Sequence, residues 1–215
     1  QEAESLMKEY QDEGINVKEF YHLMQEWLKD KILVDKTPSY AYNIDILKRA
    51  EIDFENAFYI HLVRHPYGTI RSFEEAKLDL LVPFMQKSSF TRRELAEMIW
   101  LVSHQNILEF LKDVPADRQI CVRFEDLVSY SQSTVTTICQ FLGLEFHPDM
   151  LQPYKEKTER MTDGLEVVSQ MSGDLKFYLH QGISADIAYR WKQFHTVDFL
   201  GDITWDIAKI FGYGE

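Results

Sequence analysis

Three short apolar runs, KILVDKTP, FYIHLVRHP and QICVRFEDL, constrain the fold of this chain more than any other feature. They begin at Lys31, Phe58 and Gln119, and each of them ends in charged residues. Such runs are typical of strands that are buried in the middle of a sheet. Helical patterns separate the runs, and this alternation predicts a parallel sheet in an α/β fold. Ligands of such sheets bind beyond the carboxyl ends of the strands, which is where the charged residues fall.

Four helices are predicted from apolar residues at helical spacing and from signals at the helix ends. Asn16 with Glu19, and Thr91 with Glu94, match the pattern of a capping box. The predicted helices run from Asn16 to about Lys31, from Pro66 to about Leu81, from Thr91 to about Lys112, and from Ser133 to Leu142 before Gly143.

The charge of the chain excludes several classes of partner. The net charge is −12, whereas broad binding of nucleic acid or of an anionic membrane needs an excess of Lys and Arg. Any anionic ligand must therefore be held by a few local cations.

No apolar run reaches the roughly 20 residues of a membrane-spanning helix. Cys121 and Cys139 show neither metal-ligand spacing nor a disulfide framework, and we expect one cytoplasmic domain over residues 1–215.

The stretch HLVRHPYGT, which begins at His61, is the strongest candidate for an anion site. In phosphohistidine phosphatases a strand ends in Arg-His-Gly, and the glycine lets the backbone approach the phosphate around the histidine nucleophile. Here Pro66 stands in place of that glycine, and proline suits the first turn of a helix. The N-terminus of a helix carries partial positive charge. Arg64 at the strand end and Ser72, about two turns into the helix, can then hold one phosphate between them.

Three segments together resemble those of a known family. Strand, Arg-x-Pro, helix and a Ser eight residues after the Arg resemble the 3′-phosphate-binding motif of sulfotransferases that use 3′-phosphoadenosine 5′-phosphosulfate (PAPS). VDKTPSY is similar to the strand-end Lys-Thr/Ser-Pro-x-Tyr segment of the heparan-type members, and VRFEDL resembles the third core strand of the family. The segments YIHLVRHPYGTIRSF, FEDLV, FLGLEF, LQPY, RMTDG and FYLHQGIS are similar, in order, to the sulfotransferase domains of bacterial, cyanobacterial-type modular polyketide synthases.

This resemblance implies a P-loop-like three-layer sandwich with a parallel central sheet. The family begins with a strand and a loop of the form Pro-x-Ser-Gly-[Ser/Thr]-Thr, whose backbone amides hold the 5′-phosphosulfate. No such segment occurs here, and none of the nine glycines belongs to a cluster near the first residue. We therefore expect a single sulfotransferase-like domain that is N-terminally incomplete and lacks the first strand and the phosphosulfate loop.

The resemblance also implies a reaction, namely transfer of a sulfonate group from PAPS to the β-hydroxyl of an acyl chain on an acyl carrier protein. A neighbouring thioesterase is then a further partner, and no metal is needed. The bridging oxygen of the leaving phosphate gains negative charge, so that a fixed cation stabilises the transition state. Lys36 is the candidate for this cation, and its alternative is a surface lysine paired with Asp35. His180 matches an active-site histidine of the polyketide-synthase group and is the candidate to bind or deprotonate the acceptor hydroxyl.

Two further residues are candidates for nucleotide binding. Arg160 lies in a polar loop, and Trp191 resembles the C-terminal Trp-Lys that lies near the nucleotide in this family; the alternatives are a solvated arginine and a core tryptophan. Arg123 is expected to pair with carboxylates, and Glu125 and Asp126 to cap the segment that follows them.

Two other functions stay open at this point. The chain can be a non-catalytic sulfotransferase-like remnant that binds nucleotide or carrier protein. It can also be a phosphohistidine phosphatase, in which case His65 becomes phosphorylated.

Overall fold

The computed structural model describes residues 2–80, 88–156, 181–194 and 197–214. The chain divides into two compact units, Gln1–Ala57 and Phe58–Glu215. Within the described ranges, no helix is both long enough and apolar enough to cross a membrane.

The first unit is helical. The Asn16 side chain accepts a hydrogen bond from the Glu19 backbone at 3.0 Å, and the Glu19 carboxylate accepts one from the Asn16 backbone at 2.9 Å, so the predicted capping box is confirmed. The second helix ends at Leu28 and not near Lys31, because Lys29 adopts a positive φ of 53°. The helices of this unit are α1 (Glu2–Asp12), α2 (Val17–Leu28) and α3 (Ile44–Asp53), with a 3₁₀ turn at Pro38–Tyr42.

The predicted strand in KILVDKTP is wrong. Residues 32–37 have no regular secondary structure, and Ile32 and Val34 are exposed by 47% and 74%. A strand needs a neighbouring strand for its backbone hydrogen bonds, and the sheet of the described residues contains only the two strands of the second unit. Lys36 therefore lies in an exposed loop and not at a strand end.

The second unit contains the predicted parallel sheet. Strand β1 pairs with strand β2 in a register that aligns Tyr59 with Gln119 and Val63 with Arg123, which confirms a mixed α/β fold with a parallel sheet. The elements of this unit are β1 (Tyr59–Val63), α4 (Pro66–Ala76), α5 (Arg92–Leu111), β2 (Gln119–Arg123), α6 (Phe124–Ser129), α7 (Ser131–Phe141) and α8 (Asp202–Ile210).

The boundaries of helices and strands in this unit follow local signals, but α4 and β2 each end earlier than expected. The Thr91 hydroxyl accepts from the Glu94 backbone at 3.3 Å, and α5 follows as predicted. Helix α4 ends at Ala76, before the expected Leu81, because Lys77 takes the left-handed conformation. Strand β2 ends at Arg123 and not at Leu127, because the next six residues form α6.

Helices pack on both faces of the sheet. His61 and Val63 lie on one face of β1 and are buried with α5 and α8 in the main core. Phe58 belongs to the opposite face by strand alternation, and it contacts Phe141 of α7 with ring centroids 5.3 Å apart. Because the two strands are parallel, their carboxyl ends lie at the same edge of the sheet, next to the beginning of α4 and of α6.

Candidate functional site

The turn from β1 into α4 is fixed by its own sequence. Pro66 is the first residue of α4, where its missing N–H costs nothing. His65 is the N-cap, and its Nδ1 accepts a hydrogen bond from the Tyr67 backbone at 3.3 Å. The Trp100 indole of α5 donates to the Arg64 carbonyl at 2.9 Å, which anchors the last residue before the turn. The backbone that carries Arg64 is therefore held from two sides.

The Arg64 side chain is half-buried and sparsely bonded. Its Cζ lies 4.4 Å from the centroid of the Phe124 ring, and its Nη2 donates a long bond of 3.4 Å to the Ile187 carbonyl. Its Nε is buried and has no acceptor among the described residues. Burial lowers the pKa of Arg64, and the nearby carboxylate of Glu125 opposes that shift. A buried N–H without an acceptor is costly, so this guanidinium is suited to an anion that comes from outside.

Trp191 lies beside Arg64, across Gly68. Its ring stacks on His65 with centroids 4.0 Å apart and an interplanar angle of 19°. A methyl group at Gly68 would lie 2.8 Å from Arg64 Nε and 3.3 Å from Trp191 Cδ1. The indole Nε1 of Trp191 is also buried and finds no acceptor in the described part of the chain. Two unpaired N–H donors therefore lie close to the first turn of α4.

Ser72 lies one turn beyond Gly68 on the same face of α4, because residues four apart share a helix face. It is half-buried, and no hydrogen bond of its hydroxyl is found within the described residues. The structure thus brings together Arg64 and Trp191, as the sequence suggested, and places Ser72 further along the same helix face.

Two further arginines lie close to this cluster, and sequence reasoning missed them. Glu75 of α4 accepts from Arg71 at 3.0 Å and from Arg190 at 2.7 Å. The charge of Arg190 contributes to the lowered pKa of Arg64, after burial and the opposing effect of Glu125. Two arginines therefore share one carboxylate of α4, close to Arg64.

Glu125 has a different role from the predicted cap. It lies in the first turn of α6, is exposed by only 1%, and accepts hydrogen bonds from the His65 backbone at 3.0 Å and from the Tyr213 hydroxyl at 2.6 Å. It therefore links the ends of both strands to the C-terminal segment. The only signal in the sequence was a carboxylate directly after an apolar run. The Arg123 guanidinium stacks over the Tyr213 ring at 4.5 Å; its Nε lies 4.0 Å from an Asp126 carboxylate oxygen and has no hydrogen-bond acceptor among the described residues.

Lys36 lies in the first unit, in a loop that is stabilised by hydrogen bonds to the neighbouring Asp35. The Asp35 carboxylate accepts hydrogen bonds from the hydroxyls of Tyr21, Thr37 and Tyr40 at 2.8, 2.7 and 3.0 Å. Lys36 itself is exposed and makes no ion pair with any described residue. The alternative of a Lys36–Asp35 salt bridge is therefore wrong, since Asp35 binds hydroxyls.

Two candidates, His180 and Arg160, lie outside the described residues. His65, the nucleophile of the phosphatase alternative, has an exposed fraction of 6%, and its ring lies against Trp191. A buried, stacked ring whose Nδ1 serves as a helix cap is poorly suited to attack a phosphate. Within the described ranges, no group of three or more His, Cys, Asp or Glu side chains is arranged to hold a metal ion.

Comparisons with known proteins identify the family of this chain. The profile of the sulfotransferase family matches residues 2–148. The chain is similar to a solved sulfotransferase domain from the curacin biosynthetic pathway, with 35% identity, a TM-score of 0.88, and coverage of 98% of this chain and 73% of that one. It is also similar to the sulfotransferase domain of the olefin synthase of Synechococcus PCC 7002, with 33% identity, a TM-score of 0.85, and coverage of 99% and 70%.

A search of curated proteins found no match. The family profile nevertheless covers more than half of the chain, and both solved domains are similar over nearly all of it. The strand, turn and helix that carry Arg64 lie within the matched residues. The protein is thus a member of the sulfotransferase family.

Proposed function

We propose that this sulfotransferase takes its sulfonate group from PAPS and transfers it to the β-hydroxyl of an acyl chain on a carrier protein. The observation that carries the proposal is the buried Arg64 Nε without an acceptor at the N-terminus of α4. PAPS has a phosphate on its 3′ position, and a phosphate oxygen is the acceptor that such a donor lacks.

The groups around Arg64 fit one phosphate. Arg64 offers a guanidinium, the first turn of α4 offers partial positive charge, and Trp191 Nε1 offers a second unpaired N–H. Gly68 leaves the space that a side chain would fill beside Arg64. Ser72 supplies a hydroxyl one turn further along the helix. A guanidinium, an N–H donor and a hydroxyl close to the N-terminus of one helix are typical of a phosphate site.

The proposed transfer step needs few groups from the protein. The acceptor oxygen forms a bond to sulfur, the bond from sulfur to the 5′-phosphate oxygen breaks, and the acceptor hydroxyl loses its proton. Lys36 stabilises the charge that grows on the leaving phosphate oxygen. His180 binds the acceptor hydroxyl or takes its proton.

The acceptor is proposed from similarity. Two solved sulfotransferase domains that resemble the chain come from the curacin pathway and from an olefin synthase. The sequence resemblance points to the same group of synthase domains, whose acyl chains are carried on an acyl carrier protein. The partners of this chain are then a carrier protein and a neighbouring thioesterase.

The close approach at Gly68 yields a first prediction. In Gly68→Ala, the added methyl group meets Arg64 Nε at 2.8 Å, so the guanidinium must move away from the phosphate. The affinity for adenosine 3′,5′-bisphosphate should fall about tenfold, which corresponds to ~1.4 kcal/mol. Titration calorimetry measures this change.

Gly182→Ala is the matched control. A methyl group at Gly182 meets no described residue within 4 Å, so affinity should stay at the wild-type value. Equal affinities of the Gly68 and Gly182 variants would contradict the placement of the phosphate beside Arg64.

Sulfonate transfer tests the whole proposal. The protein is incubated with PAPS and a β-hydroxyacyl carrier protein, and mass spectrometry follows the addition of one sulfonate group to the carrier. In Lys36→Ala the turnover number should fall roughly a hundredfold because transition-state charge is no longer balanced. The affinity for adenosine 3′,5′-bisphosphate should change little.

Each outcome of this experiment has a distinct meaning. Transfer that is unchanged in Lys36→Ala would remove Lys36 from the mechanism. Nucleotide binding without any transfer by the wild-type protein would favour the non-catalytic alternative. Lys18→Ala, which removes a lysine from the exposed surface of α2, is the control for loss of a charge.

A further inference from the structure

Glu125 is the only carboxylate among the described residues that is almost wholly buried. A buried charge is costly unless another charge or several hydrogen bonds compensate it. The charge of Glu125 is the largest effect that opposes the lowering of the Arg64 pKa by burial, and it also acts on Arg123. The side chains of Glu125 and Arg64 nevertheless form no ion pair, although both are described.

Two donors other than Arg64 bind the carboxylate of Glu125. Oε1 accepts from the His65 backbone at 3.0 Å, and Oε2 accepts from the Tyr213 hydroxyl at 2.6 Å. Both carboxylate oxygens are therefore engaged by other donors. The negative charge remains near Arg64, yet the N–H groups of the guanidinium are not occupied by it. An arginine that must receive a phosphate needs this combination, because a direct carboxylate partner would compete with the ligand.

Tyr213 is well placed to maintain this arrangement. It is exposed by 4%, and its ring lies under the Arg123 guanidinium at 4.5 Å. Burial and the bond to Glu125 raise the pKa of Tyr213, so the hydroxyl keeps its proton and stays a donor. The residue lies in the segment after α8, far along the chain from both strands.

We propose that Glu125 and Tyr213 are positioning residues for the anion site at Arg64. Glu125 fixes the turn between β1 and α4 and supplies a counter-charge for the half-buried Arg64 guanidinium. Tyr213 holds the carboxylate away from the guanidinium and so leaves Arg64 available to a phosphate. This inference rests on the proposed function, in that the anion is taken to be the nucleotide phosphate.

A pair of substitutions tests the arrangement. Tyr213→Phe frees Oε2 of Glu125 to pair with Arg64, so the affinity for adenosine 3′,5′-bisphosphate should fall about tenfold. Glu125→Gln keeps the shape and an acceptor oxygen but removes the charge. In the Glu125→Gln background, Tyr213→Phe should therefore cost no further affinity, a coupling that a purely structural tyrosine would not show. Tyr189→Phe, which removes an exposed hydroxyl, should bind as the wild type does.

Nuclear magnetic resonance of the protein without nucleotide separates this inference from the proposed function. The ¹⁵N–¹H resonance of Arg64 Nε is assigned by its loss in Arg64→Lys. It should move in Tyr213→Phe, as the guanidinium meets the freed carboxylate, and return toward its wild-type position in the double variant. A resonance that stays in place in Tyr213→Phe would overturn the inference.

The two hypotheses can fail separately. If the wild-type protein does not bind the bisphosphate, the proposed function fails, and the Arg64 resonance still decides whether Tyr213 controls the contact of Glu125 with Arg64. If the bisphosphate binds but Tyr213→Phe lowers affinity equally with and without Glu125→Gln, the proposed function stands and the positioning role is wrong.

Discussion

Replacing Arg64 with alanine should weaken the binding of adenosine 3′,5′-bisphosphate by about 2–4 kcal/mol, because a phosphate loses its charge-assisted hydrogen bonds. This loss corresponds to roughly a thirtyfold to several-hundredfold increase in Kd. Arg64 Nε has no acceptor among the described residues, so the substitution breaks no hydrogen bond of this atom within the described part of the protein. Titration calorimetry with the product nucleotide measures it without an acceptor substrate.

Two further variants sharpen this prediction. Arg64→Lys keeps the charge but loses the planar fork of donors, and its affinity should lie between those of the wild type and Arg64→Ala. Lys112→Ala removes an exposed cation that pairs with Glu109 at the end of α5, ahead of β2. In a parallel sheet this position lies at the opposite end from Arg64, so its affinity should not change. Wild-type affinity in a folded Arg64→Ala protein would show that Arg64 does not bind the phosphate.

Local signals predicted the parts of the fold that depend on neighbouring residues. The capping boxes at Asn16 and Thr91 form as expected, because each needs only two side chains that are three residues apart. The turn at Pro66 likewise follows from the conformational limits of proline and its place at the start of α4. The position of Arg64 at a strand end could therefore be derived from the sequence.

The predictions that failed depended on distant partners. The run KILV is apolar enough for a strand, but its backbone pairs with no strand of the described residues. Glu125 contacts the His65 backbone 60 positions away and the Tyr213 hydroxyl 88 positions away. Neither contact has a local signature, so the sequence could only suggest a cap. Periodicity identifies which residues can be buried, and tertiary contacts decide what they meet.

A buried pair of histidines predicts how the stability of the protein depends on pH. Nε2 of His61, on β1, lies 2.8 Å from Nδ1 of His104, on α5, so the N–H of one ring donates a hydrogen bond to the other ring. Their aromatic neighbours are Trp100 and Phe211. Burial lowers the pKa of His61 to about 4. Burial, together with the charge of His61, lowers the pKa of His104 to about 3.

The direction of the effect follows from these shifts. In the unfolded chain both histidines take up protons near pH 6.5, whereas in the folded protein they stay neutral until a much lower pH. The unfolded state thus binds more protons below pH 6.5, and the free energy of unfolding falls as the pH falls. The loss is at most roughly 1.4 kcal/mol per pH unit for each histidine. Between pH 7 and pH 5 we expect a total loss of about 2–4 kcal/mol.

Urea unfolding at pH 7.5, 6.0 and 5.0 measures this dependence. The double variant His61→Leu, His104→Leu replaces both partners with apolar groups, and its stability should depend much less on pH in this range. His104→Leu alone leaves His61 without its partner and should already lower stability by about 1–3 kcal/mol at pH 7.5. His22→Asn, at an exposed site on α2, should keep the wild-type dependence. If the stability of the double variant depended on pH as strongly as that of the wild type, the buried histidine pair would not be the source of this dependence. Titration of the carboxylates would then have to account for it.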